Sequence, residues 1–237
     1  MGRRDEEGCA PPDVLARPEF RGDIARATSH FARPLVTQFA FYVLVVVLGI
    51  LSMGFQMLGS RLLSPHFGSA IDVWACLIST FLAAFSIGSM LGGWISNLAP
   101  DARRRGQWAC ATAAVATLAI TALWGRALVS AIEVGVVSSG LAVLLSCVAL
   151  FFVPVAALST FSPQCVQYLA ARGMPPGKAS GLVYGVSTLG NIAGVMLTTF
   201  VLISHFRVST LLYLWLVVAI LCLAGLVWLL RSPSSAP

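Results

Sequence analysis

Strongly polar side chains are rare in the apolar parts of this chain, so they are the first candidates for chemistry. An ionisable group buried in an apolar helix of a membrane protein marks a functional site by default. The carboxylates Asp72 and Glu133 fall at the ends of apolar runs, so a proton relay built on buried carboxylates is not expected. Three amide side chains inside or near the runs form the predicted polar path: Gln56, Gln164 and Asn191.

The stretch "MLGSRLLSPHFGSAIDVW", residues 57–74, places polar residues between two long apolar runs. In one interpretation, Arg61 closes a helix, Pro65 and Gly68 force a turn, and Asp72 caps the next helix. Arg61 and Asp72 are then positioned to form an ion pair across this outer turn. In the other interpretation, the same residues form the rim of a solute pathway.

The positions of cysteine and histidine argue against metal or redox chemistry. None of the six cysteines has C-x-x-C spacing, and Cys76, Cys110, Cys147 and Cys222 lie within apolar runs. A thiol in such a run packs as a small apolar group. The three histidines lie far apart in sequence, near the ends of predicted helices. We therefore expect no metal site and no cofactor.

Composition indicates which elements must position these residues. Of 237 residues, 58% are hydrophobic and 10% are charged, and the mean hydropathy is +0.88. A soluble domain has about 25% charged residues, so the chain is predicted to be an all-α integral membrane protein. Crossing a bilayer takes about 20 apolar residues. Six runs qualify as helices: Leu35 to Ser60, Val73 to Pro100, Gly106 to Gly125, Val134 to Ala171, Ala179 to Phe206 and Val208 to Leu230.

The fourth run is too long for one helix and contains Pro154 and Pro163. Because proline removes a helical hydrogen bond, we expect the fourth helix to end near Leu158. The following "STFSPQCVQYLAARG" is predicted to be an interfacial or re-entrant piece. Non-helical backbone at that depth must be covered by protein or water.

The basic residues predict the orientation, since cytoplasmic loops are enriched in Lys and Arg. With the amino end inside, only Arg61, Arg126 and Arg207 of the fifteen basic residues face outward. Both termini are therefore predicted to be cytoplasmic. The net charge of +6 is explained by an anionic inner leaflet and needs no nucleic acid. Fourteen of the fifteen basic residues are arginine. This bias is typical of a GC-rich bacterial genome and therefore favours a bacterial inner membrane.

Three segments are predicted along the chain. Residues 1–34 mix both charge signs with prolines, which is typical of a disordered cytoplasmic tail. An alternative interpretation of "DIARATSHFARP" within this tail is one or two turns of a basic amphipathic helix at the membrane surface. Residues 35–230 form the six-helix transmembrane domain, and residues 231–237 form a short cytoplasmic tail.

Glycine spacing predicts which helices pack closely. Small residues four apart lie on one helix face and let two backbones approach. The second and fifth helices carry this spacing and are predicted to be the packing centre. They are also the middle members of two successive triplets, so an internal three-plus-three repeat and a coincidence of packing glycines both remain open. The predicted packing glycines are Gly88, Gly92, Gly93, Gly181, Gly185, Gly190 and Gly194.

Three separated stretches resemble the membrane-spanning spermidine synthase-like family. They are "GSRLLSPHFGSAIDVWACLISTFLAAFSIGSMLGGWISNLAPD", "FSPQCVQYLA" and "GKASGLVYGVSTLGNIAGVMLTTFVLI". The last carries the Ser-Thr-x-Gly-x-x-x-Gly pattern at Ser187, Thr188, Gly190 and Gly194. The resemblance covers most of residues 50–205 and implies the membrane half of a protein whose other half is an aminopropyltransferase.

Two departures limit what this resemblance implies. Gln56 stands where the family often carries a glutamate, five residues before Arg61. If that carboxylate takes part in ion coupling in the family, this chain has lost its charge. Only "RSPSSAP" follows Leu230, whereas a catalytic domain with a Rossmann-like sheet takes roughly 200 residues. The chain is therefore expected to have no catalytic residue and not to be an enzyme by itself.

The resemblance implies a non-catalytic multi-pass module that works beside a separate, soluble synthase-like protein. The alternative is a transporter of a polyamine or a related amine. Six helices also resemble half of a major-facilitator-type transporter, so transport would require a homodimer to supply the second half. The expected partners are the lipid bilayer, a second copy and a soluble synthase-like protein, without nucleic acid. A polyamine site would need carboxylates or an aromatic cage, and carboxylates are scarce in the spans.

Overall fold

A computed structural model describes the backbone of residues 18–231 and the side chains of residues 37–230. The described chain is helical and contains no strand. The helices are α1 (Pro18–Phe67), α2 (Ile71–Ser96), α3 (Pro100–Gly135), α4 (Ser139–Cys147), α5 (Val153–Ser159), α6 (Phe161–Ala170), α7 (Pro176–Met196), α8 (Ile203–His205) and α9 (Val208–Arg231). Short π-helical segments, Val148–Phe152 and Leu197–Leu202, join α4 to α5 and α7 to α8.

Where consecutive helices join end to end, they form single segments. Six helical segments of the described chain are long and apolar enough to cross a membrane, as predicted. We number them as spans in chain order. They are Thr37–Phe67, Ile71–Ser96, Pro100–Gly135, Ser139–Ala170, Pro176–His205 and Val208–Leu230.

The chain divides into two compact units, residues 1–40 and 41–237. In the first unit, α1 begins at Pro18, well before the predicted start at Leu35, so the segment predicted to be disordered is helical from residue 18 onward. Residues 1–17 and 232–237, which belong to the two predicted tails, lie outside the described residues.

The first and fourth spans form the centre of the bundle. In each, 56% of the most apolar window is buried, against 33% in the second span and 17% in the fifth. The prediction that the second and fifth helices are the packing centre is therefore wrong. Phe55 and Phe151 join the central spans with an edge-to-face contact, 5.3 Å between ring centroids, and Phe81 of the second span packs against both.

Two glycine seams attach the outer helices to the central ones. A side chain at Gly88 or Gly92 of the second span would overlap the carbonyl oxygens of Ala156 and Thr160 in the fourth span. A Cβ at those positions has no room, so only glycine allows this approach. The fifth span packs on the first in the same way, with Gly190 and Gly194 against the carbonyl oxygens of Val46 and Ile50.

The other predicted packing glycines lie in open space. Nothing within the described chain comes within 4 Å of a Cβ built at Gly93, Gly181 or Gly185. Helical spacing places glycines on one face, but it does not say whether that face meets a helix. Conversely, Gly49 and Gly54 of the first span are closely packed and were not predicted. Gly49 lies against the backbone of the fifth span, and Gly54 lies against Trp215 of the sixth.

The helix ends where predicted, because α5 stops at Ser159 beside Leu158. The fourth span nevertheless continues to Ala170, and the predicted re-entrant piece is helical. Thr160 keeps α-region backbone angles, φ −60° and ψ −24°, and α6 follows it directly. Pro163 is the third residue of α6, where a backbone N–H has no helical partner to lose. Pro154 follows the π-helical turn, which accommodates the lost hydrogen bond within a continuous span.

The outer turn differs from the prediction in its details. The first helix continues past Arg61 to Phe67, with Pro65 in its last turn, and the chain reverses at Gly68, whose φ is +73°. Asp72 lies in the first turn of α2 but makes no capping hydrogen bond. Arg61 and Asp72 do not form an ion pair. Instead, among the described side chains, His66 Nδ1 and Glu133 Oε2 lie 2.6 Å apart and connect the first and third spans.

Candidate functional site

A cavity of about 210 Å³ lies between the first, second, fourth and fifth spans. We call it the central cavity. Three apolar side chains, Leu48, Phe85 and Leu158, form part of its wall. The remaining lining residues are all polar and none is charged. They are Ser52, Ser89, Ser159, Ser162, Tyr184, Ser187, Thr188 and Asn191.

The glycine seams bring these hydroxyl groups together. Gly190 and Gly194 hold the fifth span against the first, so that Tyr184, Ser187 and Asn191 face the same space as Ser52. Gly49 completes the approach, because its α-carbon leaves room for the backbone of Asn191. Small residues at a helix crossing thus position polar ones beside it.

Several lining hydroxyls already donate to their own helices. Ser52 Oγ donates to Leu48 O at 2.9 Å, Ser159 Oγ to Ala156 O at 2.9 Å, and Thr188 Oγ1 to Tyr184 O at 2.7 Å. Their lone pairs remain available as acceptors. Hydroxyl and amide groups both donate and accept, so the cavity suits a ligand that carries hydroxyl or amide groups.

The structure places one residue of the predicted polar path, Asn191, in the central cavity. Gln164 is 3% exposed and lies outside this lining, with its Nε2 donating to Thr160 O at 3.0 Å. Gln56 is 8% exposed and also lies outside the lining. The three amides therefore do not form one site around this cavity.

The hydroxyl residues of the site were missed by sequence reasoning, although a signal for them exists. Tyr184, Ser187, Thr188 and Asn191 follow a spacing of three, four and seven residues, which places them on one face of a helix. Ser159 and Ser162 repeat the spacing of three on the fourth span. A stripe of hydroxyl groups across an apolar helix indicates a polar surface more directly than isolated amides do.

Two further cavities lie toward the ends of the second and fifth spans. The cavity at the end opposite the outer turn, which we call the inner cavity, has a volume of about 240 Å³ and is lined by Asn97, Gln167, Ser180 and, again, Tyr184. Tyr184 thus lies on the wall of both the inner and the central cavity. An outer cavity of about 280 Å³ lies at the outer turn and includes Arg61 and Trp74. All three cavities are lined by both the second and the fifth span.

The central cavity lies next to an exposed face of the fifth span. Tyr184 is 48% exposed, and Thr188 is exposed as well. Gly181 and Gly185, which no described atom approaches, are on the same helical face as these two residues. A polar face therefore borders the cavity within an apolar span.

The described part of the chain offers no cluster of three metal-ligating side chains. Its cysteines at 76, 110, 147, 165 and 222 are free thiols. Comparison of the chain with models of protein families, with curated proteins and with solved structures finds no match.

Proposed function

We propose that this protein binds a small, uncharged polar molecule in the central cavity and moves it across the membrane. The observation that carries the proposal is the lining itself, which combines eight polar side chains with no charge. Burying polar groups in an apolar medium without partners is costly. A ligand with several hydroxyl or amide groups supplies those partners.

The lining disfavours a polyamine as the ligand. A polyamine carries several ammonium groups, and each loses its hydration on entering the membrane. The cavity offers hydroxyl and amide oxygens but no carboxylate, and its aromatic residues are Phe85 and Tyr184 only. Two aromatic side chains provide one cation–π contact more readily than a cage. We therefore favour an uncharged solute over the amine that the family resemblance implies.

The two glycine seams support an arrangement of three plus three spans. The second span packs on the fourth as the fifth packs on the first, each time through glycines four residues apart. Transporters built from repeats bind their substrates at the repeat interface. The central cavity is lined by these same four spans, where a repeat interface would place a substrate.

We further propose that a second copy of the chain completes the pathway. Polar side chains cannot be satisfied by lipid tails, so a polar face beside the cavity needs protein or water to cover it. A second copy presents the same hydroxyl groups and carries no opposing charge on this face. Gly181 and Gly185 lie on the face and allow close approach.

The test is uptake of labelled solutes into liposomes that contain the purified full-length chain. The panel comprises uncharged polyols, sugars and amides, with spermidine beside them. We expect saturable uptake of at least one uncharged solute and an uptake rate at least about tenfold lower in Asn191→Leu, because the amide is replaced by an apolar side chain of similar size. Thr112→Val is the matched control, since Thr112 is exposed on the third span and outside the cavity.

Each outcome distinguishes between functions. Uptake of spermidine in preference to uncharged solutes would overturn the proposed substrate class. No uptake of any solute by correctly folded protein would overturn transport and favour the alternative, a module that works beside a separate synthase-like protein.

A further inference from the structure

The outer cavity has a composition different from that of the central cavity. It lies between the outer turn, the end of the first span, the start of the second and the π-helical part of the fifth. One cationic side chain and several hydroxyl groups contribute to its lining. The polar and aromatic members are Ser60, Arg61, Ser64, Ser69, Trp74 and Thr199.

Arg61 brings an uncompensated positive charge to this cavity. Within residues 37–230, no carboxylate lies within 4 Å of its guanidinium group, and the ion pair that does form there joins His66 to Glu133. Asp72, the acidic residue of the adjoining helix turn, is exposed and is absent from the cavity lining. A guanidinium group carries five N–H donors and no acceptor, so its complement is an anion.

Thr199 adds a hydroxyl group that has no partner. Its Oγ1 is buried and makes no hydrogen bond with any described atom. Thr198, its neighbour in the same π-helical segment, is likewise unpartnered. Outside that segment, Thr188 and Ser204 of the same span donate to the carbonyl four residues before them, at 2.7 and 3.2 Å. Thr199 lies in the π-helical segment Leu197–Leu202 and lines the cavity, so an unpartnered donor lies within the cavity wall.

The start of α2 adjoins this cavity. Gly68 and Ser69 line the cavity just before this helix, and its N-cap residue, Ala70, has no side chain that can bond the first N–H groups. Free N–H groups at a helix start carry partial positive charge and favour a negative ligand. The first turn of α2 already carries the carboxylate of Asp72, so the guanidinium group and the unpartnered hydroxyl are the two groups that mark this cavity.

We propose that the outer cavity binds a phosphate group, held by Arg61 and Thr199. Planar guanidinium groups match the oxygen geometry of phosphate, and bonds to a charged acceptor are stronger than those to a neutral one. The phosphate belongs either to the headgroup of an anionic lipid or to a free solute. Both sources present the same oxygens to the same side chains.

Two measurements on the full-length chain test this site. The first is equilibrium binding of radiolabelled inorganic phosphate in maltoside micelles, which contain no phosphate. The second is native mass spectrometry after addition of phosphatidylglycerol or phosphatidylcholine, which counts the lipid molecules retained. Both are made on the unaltered protein and on Arg61→Gln, Thr199→Val and Arg126→Gln. Arg126 is the matched control, because it is also an exposed arginine but lies outside this cavity.

We expect phosphate or phosphatidylglycerol to bind saturably, with a Kd at least about tenfold weaker in Arg61→Gln and severalfold weaker in Thr199→Val, and unchanged in Arg126→Gln. Arg61-dependent binding of inorganic phosphate supports a solute site. Arg61-dependent retention of phosphatidylglycerol without phosphate binding supports a lipid site. Equal binding by the unaltered protein and Arg61→Gln overturns the proposal, as does an equal loss in Arg126→Gln. Thermal unfolding of each variant shows that the fold is retained.

Discussion

Leu150 shows how single residues allow a proline inside a membrane span. Pro154 has no N–H, so the carbonyl of Leu150, four residues before it, loses its usual helical donor. The hydroxyl of Thr121 on the third span lies 3.0 Å from that carbonyl and 3.0 Å from Thr117 O of its own helix, so its one proton is shared between the two acceptors. Serine and threonine on neighbouring helices commonly satisfy backbone groups that proline frees. The hydrogen bond therefore connects the third span to the fourth at the point where the fourth is weakest.

Replacing Thr121 by valine tests this contact, because valine keeps the shape and removes the O–H. We expect the free energy of unfolding to fall by about 1 kcal/mol, the usual size of a side-chain hydrogen bond between membrane helices. Unfolding by titration with a denaturing detergent measures it. Thr117→Val is the control, since Thr117 bonds carbonyls of its own helix, and an equal loss there would show that Thr121 acts only within its helix.

At the scale of helices, the sequence rules for proline and glycine succeeded only in part. The end predicted near Leu158 is confirmed, since α5 ends at Ser159. Pro154 does not break the span, because a π-helical turn and a donor from another span replace the missing bond. Periodicity correctly placed Gly88 and Gly190 on packed faces. It also placed Gly185 on a face that meets no described atom, because spacing within one helix does not specify its neighbour.

The glycine seams predict unequal effects for equal substitutions. Gly88→Ala places a Cβ against the Ala156 carbonyl and Ser159, so the second and fourth spans must separate. We expect a loss of roughly 1–3 kcal/mol in unfolding free energy, as for other overpacked sites. Gly185→Ala has open space and is expected to change stability by less than about 0.5 kcal/mol. Detergent unfolding of both variants checks this, and equal losses would contradict the seam.

For the molecule as a whole, the number of spans was predictable and the site was not. Apolar runs are set by the hydrocarbon thickness, so all six spans were recognised, although helices extend beyond the runs. The third, predicted over Gly106–Gly125, covers Pro100–Gly135 because charged residues at its ends remain helical outside the apolar layer. The central cavity depends on hydroxyls from four spans, and a hydroxyl that can bond its own helix gives no sign of a second role.

The exposed polar face makes a prediction about assembly. If a second copy covers the cavity, Gly185 lies near its counterpart in that copy, and its open surroundings accept a cysteine without clash. We expect Gly185→Cys to form a disulfide-linked dimer upon mild oxidation in native membranes, at an extent several times that of the unaltered protein with its free cysteines. Leu123→Cys is the matched control, because Leu123 is 55% exposed on the third span and lies outside the three cavities.

The two positions separate specific assembly from random collision. Dimers from Gly185→Cys alone support two copies that face each other across the central cavity. Equal cross-linking at both positions would reflect collisions between crowded single copies. Absence of cross-linking at Gly185, together with full uptake by single copies in liposomes, would show that one chain forms the complete pathway and that lipid or water covers its polar face.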